Sequence, residues 1–127
     1  MRNYSLDIRP VAGAMGAEIH GVDLAKDLDD DLFADIHQAL LDHGAIFFRD
    51  QDITPEQQLD FGGRWGTVHV HPHMDSLAGY PGVIEIVKKE DDTVTFGGGW
   101  HTDQMFTATP ARVTMLYAKE VPPAGGD

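Results

Sequence analysis

One stretch in the first half of the chain limits the possible folds most strongly, because it predicts a helix followed at once by a strand. Aspartates at residues 29–31 supply the negative charge that favours a helix N-terminus. Apolar side chains then recur at helical spacing up to Gly44, a residue type that often ends a helix: Leu32, Phe33, Ile36, Leu40 and Leu41. The apolar run at residues 45–48 is too short for another helix and predicts a buried strand.

Other segments extend this mixed pattern along the chain. Residues 6–10 and 17–20 predict a pair of strands joined through glycines that allow tight turns. Thr54 as a cap with Pro55 at the first helical position predicts a second helix over residues 55–64. The His-, Gly- and Pro-rich residues 69–81 predict a loop. Further strands are expected at the following segments: 82–87, 93–96 and 112–118. We therefore expect an α+β fold, with residues 1–127 forming one domain or part of one.

Charge and residue usage exclude several classes of protein. The net charge of -12 disfavours nucleic acid or an anionic membrane as a partner, although a small anionic ligand is compatible with it. Because the chain has no cysteine, disulfides and cysteine-ligated metals are excluded, and any metal site must use His, Asp and Glu. No run has the length of a signal peptide or a membrane span, so we expect a cytoplasmic protein.

The triplet His101-Thr102-Asp103 carries the most chemical information. In an extended segment, residues two apart project to one face, so this imidazole and carboxylate can reach one metal ion. Mixed nitrogen and oxygen ligands suit Fe(II), and two histidines with one carboxylate leave positions open for a co-substrate and O₂. Spacing alone does not separate this site from a surface polar pair or a turn.

A second candidate for metal binding is the group of alternating histidines His69, His71 and His73. Side chains at alternate positions of a strand can bind zinc from one face. Pro72 interrupts a regular strand there, which favours a His-rich loop instead.

The sequence around these motifs resembles the taurine dioxygenase family of Fe(II)/2-oxoglutarate oxygenases. The resemblance rests on Trp-His-Thr-Asp at residues 100–103 and Gly-Gly-Asp at residues 125–127, and it extends in the same order over most of the chain. Similar segments occur at residues 16–24, 43–51 and 54–58. The resemblance implies a double-stranded β-helix (jelly-roll) core, of which this chain would hold the first portion.

The family pattern assigns His101 and Asp103 as iron ligands and implies Fe(2+), 2-oxoglutarate and O₂ as cofactor and co-substrates. In the family a second histidine and a 2-oxoglutarate-binding arginine lie far downstream, and a threonine follows the Gly-Gly-Asp turn. None of these positions is present in residues 1–127. We therefore expect this chain to be the N-terminal portion of a longer enzyme, and we expect the portion by itself to be inactive.

The resemblance also implies a substrate contact. His71 matches the family position that contacts the sulfonate of taurine, whereas Met74 and Gly97 stand where taurine-specific members carry a tyrosine and an asparagine. A less polar and roomier pocket would favour a small organic acid that is larger than taurine, such as an alkyl sulfonate, a sulfate or an aryloxyacetate.

Two other functions stay open from the residues alone. The chain could be a truncated, non-catalytic relative, or a different metal enzyme that uses His69, His71 and His73. The sequence does not indicate the oligomeric state, and a homo-oligomer is one of the options.

Overall fold

The computed structural model describes residues 6–124, so the turn predicted at residues 125–127 lies outside the described residues. The chain divides into two compact units, one ending at Arg64 and the other beginning at Trp65. Within the described residues, every helix and strand lies before Gly66. No helix in this part of the chain has the length and apolar character needed to cross a membrane.

The first unit contains a three-stranded sheet in the order β1-β2-β3. Strands β1 (Asp7–Pro10) and β2 (Ala17–His20) pair antiparallel, which confirms the predicted strand pair. Strand β3 (Ile46–Phe47) pairs parallel to β2. Parallel neighbours require a crossover connection, and helix α1 (Asp30–His43) provides it.

The predicted start and end of α1 are both confirmed by its caps. The Asp29 carboxylate accepts a hydrogen bond from the Leu32 N–H at 2.8 Å, so the acidic run serves the helix N-terminus. Gly44 adopts the left-handed conformation with φ 71° and donates its N–H to the Leu40 carbonyl at 2.8 Å.

The second helix, α2 (Pro55–Trp65), begins where the sequence predicts and ends one residue later. Thr54 and Gln57 cap it reciprocally: the Gln57 N–H donates to Thr54 Oγ1 at 3.2 Å, and the Thr54 N–H donates to Gln57 Oε1 at 2.8 Å. Gln57 also donates to the Ala25 carbonyl at 3.1 Å, which ties the start of α2 to the loop before α1.

The core of the first unit lies between the sheet and the helices. Phe61 of α2 meets Phe33 of α1 and Phe48 edge-on, with ring centroids 6.3 and 6.0 Å apart. The buried apolar residues are Ala17, Ile19, Val22, Leu24, Ile36, Ala39, Ile53 and Phe61.

Four strand predictions need correction. The strand predicted at residues 45–48 is shorter and not buried: β3 lies at one edge of the sheet, and Phe47 is 43% exposed. Residues 69–81 form turns, as predicted, with an isolated bridge between Leu77 and Tyr80. The remaining three segments are irregular in the second unit: residues 82–87, 93–96 and 112–118. Their residue patterns suit strands, but a strand also needs a neighbouring strand that exchanges backbone hydrogen bonds along its length. In the part of the chain that the structure describes, only β1, β2 and β3 are paired in this way.

Gly16 is a position where the fold demands glycine. Its φ is 97°, its N–H donates to the His43 carbonyl at 2.8 Å, and an added Cβ would lie 2.7 Å from Val11 Cγ2. We expect Gly16→Ala to lower the free energy of unfolding by about 2 kcal/mol, since it adds backbone strain to a steric overlap. Urea denaturation followed by circular dichroism measures the loss.

Gly13→Ala is the matched control, because a Cβ at Gly13 would have nothing within 4 Å. An equal loss of stability in the two variants would contradict the conformation described for Gly16.

Candidate metal centre

The structure brings the two predicted metal ligands together. His101 Nε2 lies 3.2 Å from Asp103 Oδ1, and the side chains are 57% and 49% exposed. Two ligand atoms about 2.1 Å from one metal, at right angles to each other, lie about 3 Å apart. The donor types and their separation therefore fit adjacent positions on a single metal ion, although residues 100–103 are irregular rather than a regular strand.

The orientation of the His101 ring is set by its own backbone neighbourhood. Nδ1 lies 2.8 Å from the Gly99 carbonyl oxygen, and because a carbonyl only accepts, Nδ1 is the donor. This leaves Nε2 directed at Asp103. Histidines that bind metals usually donate the other ring N–H to a carbonyl or carboxylate in this way.

The same contacts shift the pKa of His101. The hydrogen bond to the Gly99 carbonyl is the largest cause that raises the pKa of His101; partial burial opposes it, and the Asp103 carboxylate adds to it. A metal ion binds only an unprotonated ring nitrogen, so a raised pKa makes protonation compete more strongly with metal binding at His101.

The second oxygen of the carboxylate has a different partner. Thr114 Oγ1 donates to Asp103 Oδ2 at 2.9 Å. No sequence pattern predicts this contact, because its two residues are eleven positions apart and belong to no regular spacing.

Glycines open the space beside His101. A cavity of about 380 Å³, open to solvent, is lined by residues 97–101. Gly97 has a φ of 69°, and a Cβ added there would lie 3.6 Å from His101 Cε1, in ordinary van der Waals contact with the ring. Gln104, next to Asp103, has a left-handed φ of 53°, and its enclosed Oε1 has no hydrogen-bond partner among the described residues.

His71, the predicted substrate contact, is half-buried in the loop after α2. Its Nδ1 accepts the His73 backbone N–H at 3.1 Å, and the two rings lie 6.0 Å apart. Because Nδ1 accepts, the proton of this imidazole is on Nε2.

Within residues 6–124, no group of three or more His, Asp or Glu side chains is arranged to hold a metal ion. His69, His71 and His73 therefore do not form a three-ligand site. The same finding means that His101 and Asp103 have no third protein ligand among the described residues.

Two histidines of the first unit, His20 and His37, make contacts that suit structural roles. His20 Nε2 lies 3.1 Å from Glu18 Oε2, and Glu18 also accepts from Arg49 Nε at 2.8 Å. The His37 ring stacks on Phe33 with centroids 6.4 Å apart.

Two known proteins that resemble this chain are named as alpha-ketoglutarate-dependent dioxygenases. The chain is 34% identical over 123 residues to the alpha-ketoglutarate-dependent sulfate ester dioxygenase of Pseudomonas putida, covering 96% of this chain and 40% of that protein. It is 32% identical over 125 residues to the (S)-phenoxypropionate/alpha-ketoglutarate-dioxygenase of Sphingobium herbicidovorans, covering 96% and 43%.

Among solved structures, the crystal structure of a taurine dioxygenase from Burkholderia xenovorans matches with a TM-score of 0.57 and 38% identity, over 61% of this chain and 28% of that one. The chain spans about 40% of the length of the relatives it matches. The family model described as Taurine catabolism dioxygenase TauD, TfdA family matches residues 7–127. The chain therefore belongs to the TauD/TfdA family of dioxygenases.

Proposed function

We propose that this chain supplies part of the active site of an Fe(II)- and 2-oxoglutarate-dependent dioxygenase that hydroxylates a small anionic organic acid. The observation that carries the proposal is the convergence of His101 Nε2 and Asp103 Oδ1 at 3.2 Å, in a chain of this family. When bound, iron with 2-oxoglutarate and O₂ supplies the oxidising chemistry, and the protein positions the reactants and excludes water.

His101 and Asp103 are the proposed iron ligands. The third ligand and the arginine for 2-oxoglutarate come from outside these 127 residues. Two observations support this division: no third ligand accompanies the pair among the described residues, and relatives are more than twice as long as the segment that matches.

Residues 1–127 are proposed to be part of a single jelly-roll domain. In the second unit, the segments with strand-like sequences leave large apolar side chains exposed; Val94 is 80% exposed and Leu116 is 84% exposed. Such side chains suit the inner faces of strands, which pack against a second sheet in a jelly roll.

His71 is proposed to bind the anionic group of the substrate. Because its Nδ1 accepts the His73 N–H, its Nε2–H is left as a donor, and a donor is what a sulfonate, sulfate or carboxylate oxygen requires. A zinc ion would need one unprotonated ring nitrogen, and with Nδ1 accepting the His73 N–H and the proton on Nε2 neither nitrogen is available, which disfavours the rival metal site.

The substrate is proposed to be larger or less polar than taurine: an alkyl sulfonate, a sulfate ester or an aryloxyacetate. The absence of a side chain at Gly97 helps to open the cavity beside His101, and half-buried Met74 offers no hydrogen-bond donor. The names of the relatives, a sulfate ester dioxygenase and a phenoxypropionate dioxygenase, agree with this class.

Substrate preference can be tested in a chimera that places residues 7–127 of this chain in the Pseudomonas putida relative. We expect kcat/KM for an alkyl sulfate or phenoxypropionate to exceed that for taurine by about tenfold or more, since taurine's polar groups lose hydrogen-bond partners in this pocket. Restoring those partners with Met74→Tyr and Gly97→Asn should shift the ratio toward taurine. A chimera that prefers taurine before these changes would contradict the proposed substrate class.

A further inference from the structure

We propose that Thr114 is a positioning residue that makes Asp103 a ligand through one oxygen only. The inference rests on the proposed function, because it assigns a role within the same metal centre. Its basis is the division of the carboxylate between two partners: Oδ1 faces His101 Nε2 at 3.2 Å, and Oδ2 accepts from Thr114 Oγ1 at 2.9 Å.

This division restricts the rotation of the carboxylate. Asp103 is 49% exposed, so without a second partner its head group could turn and offer either oxygen, or both, to a metal. The β-branched Thr114 has few allowed χ1 rotamers, and its hydroxyl is therefore held in a narrow range of directions. The hydrogen bond fixes Oδ2 away from the metal and leaves Oδ1 beside the imidazole.

A hydroxyl suits this task better than a cationic side chain. An arginine in the same place would bind both oxygens and neutralise the carboxylate. Thr114 donates one hydrogen to one oxygen, so Asp103 keeps its charge and one free oxygen. A carboxylate that occupies one coordination position instead of two leaves an additional position for a bidentate co-substrate and O₂.

Titration of the 127-residue chain with Co(II), followed by visible absorption, tests the assignment. We expect Thr114→Val to weaken Co(II) binding by about tenfold or more, the usual effect of removing a partner that orients a metal ligand. The absorption bands should also shift, because a released carboxylate can bind through both oxygens and raise the coordination number. Thr114→Ser, which keeps the hydroxyl, should restore the wild-type spectrum and an affinity within about threefold.

Thr109→Val is the matched control, since Thr109 is an exposed threonine in the same unit. Circular dichroism of each variant verifies folding.

If binding requires His101 and Asp103 but Thr114→Val binds like the wild type, the role of Thr114 is wrong and the metal centre stands. If Thr109→Val weakens binding as much as Thr114→Val, or Thr114→Ser fails to restore it, the positioning role is also wrong. Binding that ignores His101 and Asp103, or no saturable binding by the wild type, would overturn the metal centre and the inference together.

Discussion

His101→Ala and Asp103→Ala are each expected to lower the affinity of the 127-residue chain for Co(II) by more than about a hundredfold, a larger loss than removing a partner of a ligand produces. Each change removes one of the only two proposed ligands that the structure brings together, at 3.2 Å. A single remaining side chain cannot chelate, so the entropic advantage of the pair is lost. Absorption titration and isothermal calorimetry measure the affinity.

Asp103→Asn is an informative companion, because it keeps the size of the side chain and a carbonyl oxygen but removes the charge. We expect it to fall near Asp103→Ala, since a neutral amide is a much poorer ligand for a divalent cation than a carboxylate. Its folding should match the wild type, which separates loss of the ligand from loss of structure.

His71→Ala is the matched control and discriminates the rival functions. Metal binding that survives His71→Ala but not His101→Ala supports the iron centre. Dependence on His71 would instead support a metal site at His69, His71 and His73, despite the hydrogen bond that His71 Nδ1 accepts from the His73 N–H. Equal and weak binding by all variants would favour a non-catalytic module.

Ile36→Ala is expected to lower the free energy of unfolding of the first unit by about 3–4 kcal/mol, through lost apolar burial and the cavity left behind. Ile36 is 0% exposed on α1, the helix that packs against β2 and β3. Typical domains have stabilities of only about 5–15 kcal/mol, so this change brings the unit close to unfolding. Urea denaturation followed by far-ultraviolet circular dichroism measures the loss of stability.

Two variants calibrate that loss. Ile36→Val removes one methyl group and should cost about 1 kcal/mol. Leu41→Ala, on the same helix where the side chain is 64% exposed, should change stability by less than about 0.5 kcal/mol. Equal effects of Ile36→Ala and Leu41→Ala would contradict the assignment of Ile36 to the core.

The elements that the sequence predicts correctly are those with local signals. Helix α1 starts at an Asp29 cap and stops at Gly44, and α2 starts at Thr54; each signal acts on hydrogen bonds within four residues of itself. The proximity of His101 and Asp103 follows in the same way from a spacing of two residues.

Strands are predicted less well than helices, because their pairing depends on distant parts of the chain. Residues 82–87 carry a strand-like alternation and yet are irregular, because alternation determines which side chains share a face and not whether another backbone lies alongside. The parallel pairing of β2 with β3 likewise depends on α1 returning the chain to the correct edge of the sheet.

The two helices, the strand pair β1 and β2, and the two candidate metal ligands were all predictable from the sequence alone. The sequence does not indicate which ring nitrogen of His101 and of His71 bonds to the backbone, or that Thr114 holds one oxygen of Asp103; these depend on the folded structure. The difference is one of range: caps and turns are satisfied by residues a few positions away, whereas the Thr114 contact depends on how the intervening chain folds back. Proton positions on the two rings depend in turn on the conformation that brings a backbone group to one particular nitrogen.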